Sequence, residues 1–235
     1  MITLLRSALF NLHFFLASAL LSMAGQVLLV VAPKRFPAVP ILWARTVLGG
    51  ARVICGIGYR VRGMELLPQD GPVLLASRHQ SAFDTLVWLL LLPRCCYVLK
   101  QELLRIPVMG KMVRASRFIA VDRAAGAAAM RHLLRETDRV VANARQIVIF
   151  PEGTRAPPGT LLPLQPGVAA IAARAKLPVF PVLTDSGNFW GRRAFRKFPG
   201  TIDITILPPI EAGLPRAELM ARLEAALRQE CPPCG

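Results

Sequence analysis

At 235 residues the chain is long enough for one sizeable domain with a buried core, and a second full domain would be crowded. Hydrophobic residues make up 54% of it and charged residues only 18%, which is more apolar than an ordinary soluble domain requires and indicates contact with a membrane. Lys and Arg outnumber Asp and Glu by 29 to 14, and these scattered cations, with only two tyrosines, favour an anionic lipid surface over nucleic acid.

The N-terminal segment, residues 8–32, carries no charged side chain and is long enough for a helix that spans a bilayer. A cleavable signal peptide is the alternative, because small residues occur around positions 17–19 and 22–24. A second apolar segment, residues 40–57, follows, so the two segments could instead form a hairpin that lies in one leaflet. More basic residues follow the first segment than precede it, and the positive-inside rule therefore puts the rest of the chain in the cytoplasm.

Beyond Gly58 the pattern changes to short β-rich runs that alternate with helical periodicity. This pattern predicts an α/β fold with a mostly parallel sheet flanked by helices, preceded by a membrane-associated helical segment. We divide the chain into membrane-associated helices over residues 1–57 and an α/β domain over residues 58–235. The predicted strands are 59–62, 73–76, 97–99, 118–121, 146–150, 179–183 and 202–207. The predicted helices are 83–92, 108–114, 126–144, 168–175 and 216–229.

The first candidate motif, RHQSAFD at residues 78–84, follows a predicted strand. On one straight helix His79 and Asp84 would lie about 140° apart, so a contact between them requires a bend. Ser81 as a helix N-cap would supply that bend and let Asp84, in the first helical turn, point back toward His79. Such an Asp can fix the imidazole tautomer during base catalysis. The alternative is a capping-box acid beside an ordinary loop histidine.

The second candidate motif, FPEGTR at residues 150–155, stops another predicted strand with a proline. Gly153 lets the backbone turn, and Thr154 and Arg155 are then exposed to whatever fills the crevice at the end of the sheet. Arginine suits phosphate because its planar guanidinium forms bidentate, charge-assisted hydrogen bonds. Glu152 could hold Arg155 or orient a substrate hydroxyl. A β-turn with an exposed arginine is the alternative.

Two further cations follow predicted strands in the same way, Lys100 after strand 97–99 and Arg123 after strand 118–121. Because ligands bind in α/β sheets at the carboxyl ends of the strands, we expect both side chains to join Arg155 in a phosphate pocket near His79.

The five cysteines are odd in number and lack the spacing of a disulfide framework, which indicates reduced thiols in the cytosol. Cys231 and Cys234 have redox spacing but lie at the terminus without a βαβ pattern around them. Three histidines in the whole chain leave few ligands for zinc, and we expect no metal site.

Four blocks of this sequence resemble the glycerolipid acyltransferase family, specifically its bacterial 1-acylglycerol-3-phosphate acyltransferases. The blocks are His-x4-Asp at residues 79–84, an apolar strand that ends in arginine at residues 118–123, FPEGTR at residues 150–155, and a proline-rich strand at residues 177–182. Two residues depart from the family pattern. Arg78 stands where the family often has Asn, and Arg117 stands where it often has Gly or another small residue.

The resemblance implies acyl transfer from acyl-CoA or acyl carrier protein to the sn-2 hydroxyl of 1-acylglycerol 3-phosphate (lysophosphatidate), which yields phosphatidate. His79 would act as general base, oriented by Asp84. The enzyme would work on the cytoplasmic face of the inner membrane, with membrane lipid around it and no cofactor besides the thioester co-substrate. The expected phosphate-binding residues are Lys100, Arg123, Glu152, Gly153, Thr154 and Arg155.

Three alternatives remain at this stage. A relative in the same family could act on another lysolipid, such as lyso-ornithine lipid or a lysophospholipid. A serine hydrolase could use Ser77 or Ser81, although the chain has no Gly-x-Ser-x-Gly motif. A non-catalytic protein that binds anionic membranes would explain the charge and the apolar N-terminus, but it would leave the His79 and Asp84 pattern without a role.

Overall fold

The structure, a computed structural model, describes residues 1–106 and 109–229. It begins with two long helices, α1 (Ile2–Val31) and α2 (Ala38–Cys55), joined by a short turn at Pro33–Arg35. The two apolar segments predicted from the sequence therefore form a helical hairpin, and each helix is long and apolar enough to cross a membrane.

Seven strands form one sheet in the order β1-β7-β6-β2-β5-β3-β4. Every neighbouring pair is parallel except β6 and β7, which are antiparallel, so the predicted mostly parallel sheet is confirmed. All seven predicted strands are present, with boundaries that differ by two residues at most. The strands are β1 (Ile57–Arg62), β2 (Leu74–Ser77), β3 (Cys95–Lys100), β4 (Ile119–Val121), β5 (Gln146–Ile149), β6 (Val179–Thr184) and β7 (Gly200–Ile206).

Five further helices connect the strands and match the predicted ones, except that the predicted start at residue 108 lies outside the described residues. They are α3 (Asp84–Leu91), α4 (Met109–Ala115), α5 (Gly126–Ala142), α6 (Gly167–Ala175) and α7 (Arg216–Leu227). Because β2, β5, β3 and β4 run parallel, their carboxyl ends meet at one edge of the sheet, where both candidate motifs and both further cations follow.

The sheet separates two hydrophobic cores. Helices α1, α2 and α3 pack on one face, where Leu75 points, and α5, α6 and α7 pack on the other, where Leu74 points. Neighbouring residues of one strand face opposite cores because side chains alternate along a strand. Burial on both faces explains why the central strands read as continuous apolar runs rather than as alternating patterns.

Helix α1 lies along the body of the protein instead of projecting from it. The Phe10 ring meets Trp190 edge-on at 4.9 Å between ring centroids, and the indole N–H of Trp43 donates to Ser18 Oγ at 3.0 Å. Near the end of α1, a Cβ on Gly25 would lie within 2.6 Å of the Met112 side chain, so a glycine permits that close approach. Away from these contacts α1 exposes Arg6 near its start and many large apolar side chains: Ile2, Leu4, Leu5, Leu9, Leu12, Phe15, Leu16, Leu20, Met23, Val27, Val30 and Val31.

Candidate active site

His79 and Asp84 are in contact. His79 follows β2, Asp84 is the first residue of α3, and the distance from His79 Nδ1 to Asp84 Oδ2 is 3.1 Å. The same carboxylate oxygen accepts hydrogen bonds from the backbone N–H groups of Gln80 at 2.7 Å and Ser81 at 2.8 Å. An oxygen that already accepts two hydrogen bonds acts as an acceptor toward the imidazole too, so His79 Nδ1 carries the proton. In the neutral imidazole Nε2 then has the free lone pair and can accept a hydrogen bond.

The bend that brings the pair together is present, but Ser81 is not the N-cap we predicted. Helix α3 begins three residues later, and Ser81 Oγ accepts a hydrogen bond from the Phe83 N–H at 3.1 Å. Asp84 itself binds the N–H groups of the preceding loop, so the chain bends around its carboxylate. The hydrogen bonds from the loop N–H groups to the Asp84 side chain hold residues 80 and 81 outside the helix. They outweigh the N-cap propensity of serine, on which the prediction rested.

The imidazole ring of His79 lies on an aromatic surface from the second motif. It stacks on Phe150 at 4.1 Å between centroids with an angle of 20° between the planes, and Phe150 in turn stacks on Tyr97 at 6.1 Å. The hydroxyl of Tyr97 donates to the Thr85 carbonyl at 2.8 Å, and burial raises the pKa of Tyr97 well above its ordinary value. These contacts fix the ring plane of His79, and Asp84 holds its Nδ1.

Glu152 lies behind the loop that carries His79, a position that differs from our expectation that it binds phosphate or holds Arg155. It is 4% exposed, and its two carboxylate oxygens accept from the backbone N–H groups of His79 at 3.1 Å and Leu162 at 3.2 Å. The His79 carbonyl accepts from the N–H of Ala156, the residue after the second motif, at 2.7 Å, so this loop binds the backbone of His79 on both sides. Glu152 therefore supports the first motif and does not line the cavity described below.

Burial raises the pKa of Glu152, and the two backbone hydrogen bonds and Arg78 oppose that effect. Arg78 is itself buried, with a guanidinium nitrogen 3.9 Å from the Glu152 carboxylate. It also donates to the carbonyls of Thr160 and, at 3.2 Å, Leu227. This departure from the family pattern thus provides a buried counter-ion behind the loop. The second departure, Arg117, has a left-handed backbone with φ of 52°, which explains why glycine suits that position.

We expect the substitution Glu152→Gln to lower the turnover number about tenfold and the free energy of unfolding by about 1–3 kcal/mol, because one of the two buried backbone N–H groups would lose its acceptor. Steady-state kinetics and thermal unfolding in detergent measure both effects. Glu218→Gln, on the exposed surface of α7, is the matched control and should change neither. Wild-type turnover and stability in the Glu152 variant would show that this side chain does not support His79.

A cavity of about 400 Å³ opens beside His79 at the carboxyl edge of the sheet. Six of the eight residues that we predicted for the site line it: His79, Lys100, Arg123, Gly153, Thr154 and Arg155. The remaining two, Asp84 and Glu152, hold His79 from behind. The geometry therefore brings the base and the three cations to one place, and the chemical roles assigned to them stay predictions.

Arg155 is the cation best prepared for an anion. Its Nε atom is buried and has no hydrogen-bond partner among the described residues. Burial lowers the pKa of Arg155, with Asp84 opposing that effect and Arg192 and Arg193 adding to it. An unpaired donor on a partly buried cation is costly, and a bound phosphate oxygen would remove that cost.

Arg123 is positioned by the glycine of the second motif. Its Nη1 donates to the Gly153 carbonyl at 2.7 Å. Gly153 has a left-handed φ of 70°, and a Cβ there would lie 2.4 Å from Arg123 Nη1. The left-handed backbone therefore favours glycine here, and any larger residue would also displace the Arg123 guanidinium.

Sequence reasoning missed several residues of the cavity. Arg192 and Arg193 enter from the segment between β6 and β7, and Trp43 of α2 covers the cavity from the helical hairpin. The pair of adjacent arginines in the basic segment 191–197 was the available signal. The contribution of α2 had no local signal, because it depends on how the hairpin packs on the sheet.

Among the described residues, no group of three or more His, Cys, Asp or Glu side chains could hold a metal ion. Cys95 and Cys96 are buried, and burial raises the pKa of both thiols, so they are poor nucleophiles. Cys231 and Cys234 lie outside the described residues.

A sequence model described as "Acyltransferase" matches residues 58–185. The 1-acyl-sn-glycerol-3-phosphate acyltransferase of Pseudomonas aeruginosa is 34% identical over 223 residues, which cover 91% of this chain and 86% of that protein. The alpha form of the same-named mouse enzyme is 30% identical over 169 residues, 71% of this chain and 59% of that protein.

Among solved structures, the 1-acyl-sn-glycerophosphate (LPA) acyltransferase PlsC from Thermotoga maritima has the same fold, with a TM-score of 0.76 at 22% identity. The match covers 95% of this chain and 94% of that one. The site geometry and the sequence relatives thus agree with the resemblance carried by the four blocks, and the chain belongs to the acyltransferase family.

Proposed function

We propose that this enzyme transfers a fatty acyl group from a thioester to the sn-2 hydroxyl of lysophosphatidate and so forms phosphatidate. The observation that carries the proposal is a single cavity that holds the His79 base, Lys100, Arg123 and the unpaired Nε of Arg155. A base beside a phosphate-binding cluster fits an acceptor that has a hydroxyl and a phosphate. The relatives from Pseudomonas and mouse, both 1-acyl-sn-glycerol-3-phosphate acyltransferases by name, support the same acceptor.

In the proposed reaction, His79 Nε2 takes the proton of the sn-2 hydroxyl while the hydroxyl oxygen attacks the carbonyl carbon of the thioester. The resulting tetrahedral intermediate collapses, the C–S bond breaks, and the leaving sulfur takes the proton back from His79 to become a thiol. Asp84, 3.1 Å from Nδ1, stabilises the imidazolium between these two proton transfers. General base catalysis of this kind contributes about 10²- to 10⁴-fold to the rate.

Lys100, Arg123 and Arg155 hold the phosphate so that the hydroxyl lies next to His79. Two of these cations are fixed through the backbone of the second motif, since Arg123 binds the Gly153 carbonyl and Arg155 belongs to the loop that binds the His79 backbone. Positioning a reacting group in this way supplies a large share of the rate acceleration of many enzymes.

We also propose that α1 and α2 lie in the cytoplasmic leaflet of the inner membrane, as a hairpin that does not span it. Contacts from Phe10 to Gly25 keep α1 against the protein body, and its other face exposes large apolar side chains. Apolar side chains of α2 and α3, among them Trp43 and Leu89, line the active-site cavity and would let acyl chains enter from the lipid. Reporters fused before α1 and inserted after Val31 should both be cytoplasmic, and a periplasmic position of either one would overturn the hairpin.

The experiment that tests the reaction is incubation of the protein in membranes with labelled acyl-CoA and a panel of lysolipids, followed by identification of the product. We expect labelled phosphatidate from lysophosphatidate and no product from lyso-ornithine lipid or from glycerol 3-phosphate. Preferential acylation of another lysolipid would assign this family member a different acceptor. A parallel incubation with acyl carrier protein as donor compares the two thioesters.

A further inference from the structure

The cavity holds more positive charge than the phosphate of lysophosphatidate requires. Arg192 and Arg193 line it in addition to the three cations already assigned. A phosphate monoester carries about −1.5 to −2 charges at neutral pH, and three cations already exceed that. Neither Arg192 nor Arg193 has an ion-pair partner in the described part of the chain. Both arginines lie close enough to Arg155 to lower its pKa further than burial does, while Asp84 opposes that effect.

The order of the strands separates these cations into two groups on either side of His79. β2, which leads to His79, lies between β5 and β6. Arg155 follows β5, and Lys100 and Arg123 follow β3 and β4 beyond it, so all three lie on one side of β2. Arg192 and Arg193 belong to the segment that follows β6, on the opposite side. Two anionic groups could therefore bind at the same time with His79 between them.

The segment that carries Arg192 and Arg193 is fixed to the rest of the protein. Lys197 is 4% exposed, and its ammonium group donates to Asn11 Oδ1 of α1 at 2.7 Å and to the Ala194 carbonyl at 2.8 Å. Arg192 Nη1 donates to the Arg155 carbonyl at 3.3 Å. Arg193 has a left-handed backbone with φ of 53°. The hydrogen bonds hold this segment in place, and both arginines line the cavity from it.

We propose that Arg192 and Arg193 bind the phosphate of the phosphopantetheine arm that carries the acyl thioester. The inference rests on the proposed function, which requires the hydroxyl and the thioester to meet at His79. Since the acceptor phosphate is held on the β3 and β4 side, the donor approaches from the β6 side, where these arginines lie. Acyl-CoA and acyl carrier protein both have a phosphate on this arm, so one site serves either carrier.

The test compares donors with and without phosphate on the full-length protein in detergent micelles. At saturating lysophosphatidate, the double substitution Arg192→Ala and Arg193→Ala should raise the KM for acyl-CoA at least about tenfold, because two charge-assisted contacts are lost. Acyl-pantetheine, which lacks the phosphate, should react at the same rate with the variant and the wild type. Arg196→Ala, in the same segment but outside the cavity lining, is the matched control and should change neither KM.

Repeating the measurement with acyl carrier protein identifies the source of the phosphate. A raised donor KM with both carriers supports a site for the shared arm. A raised KM with only one carrier supports the site and identifies that carrier as the donor. An unchanged KM for the donor with a raised KM for lysophosphatidate would overturn the proposal, as would an equal loss with acyl-pantetheine. Equilibrium binding of labelled CoA gives a readout independent of turnover. The double variant should bind at least about tenfold more weakly even if the wild type acylates a different acceptor.

Discussion

Replacing His79 with alanine should lower the turnover number by about 10²- to 10⁴-fold while the protein stays folded and membrane-bound. The reason is that His79 lines the cavity with Nδ1 fixed by Asp84, and neither of the two other histidines, His13 and His132, lines it. Steady-state acyl transfer measured on purified protein gives the turnover number. Flotation with lipid vesicles and thermal unfolding show whether association and folding are unchanged.

Two further variants separate a catalytic base from a merely structural histidine. His132→Ala removes a histidine on α5, on the far face of the sheet, and should leave turnover unchanged. Asp84→Asn keeps the size of the side chain but weakens its hydrogen bonds to the imidazole and loop, so turnover should fall with little change in the KM for lysophosphatidate. Wild-type turnover by a folded His79→Ala enzyme would exclude His79 as the base.

The second large effect is expected at Arg155. Arg155→Ala should raise the KM for lysophosphatidate by about 10- to 100-fold with a smaller change in turnover, because a bidentate, partly buried contact to phosphate would be lost. Arg155→Lys should recover part of the loss, since lysine restores the charge but not the planar pair of donors. Initial rates over a range of lysophosphatidate concentrations measure both parameters.

The Arg155→Ala experiment has two controls. One is a substrate without phosphate, and the other is the substitution of an exposed arginine. Monoacylglycerol lacks the group that Arg155 is proposed to bind, so the variant and the wild type should use it equally poorly. Arg135→Ala, on the exposed surface of α5, should leave the KM for lysophosphatidate unchanged. If the KM stays at the wild-type value in Arg155→Ala, the phosphate is held elsewhere.

The sheet could be predicted because its signals are local. β2 and β5 are short apolar runs bounded by polar motifs, and burial on both faces requires that pattern. The contact between His79 and Asp84 could be predicted for the same reason, since both residues belong to one short loop. Parallel strands then bring the cations at their carboxyl ends to one edge.

The parts that could not be predicted depend on contacts between residues far apart in the chain. Glu152 belongs to a motif that suggested substrate binding, yet its carboxylate binds the backbone of His79, 73 positions earlier. Arg192 lines the cavity from a segment in which Lys197 is held by Asn11, 186 positions earlier. Neither the hydrophobic periodicity nor the spacing of motifs indicates which distant residues will be in contact. The division into residues 1–57 and 58–235 stays a prediction, and both parts contribute to one hydrophobic core.

The packing of α1 has a practical consequence for preparing the enzyme. A shortened protein that starts at residue 58 would expose Trp190, which now packs on Phe10, and would leave the buried ammonium group of Lys197 without Asn11. The segment that carries Arg192 and Arg193 would then lose its support next to the cavity. Deleting the apolar N-terminal helices to obtain a water-soluble fragment is therefore a poor strategy. Extraction of the intact chain into nanodiscs is the better route.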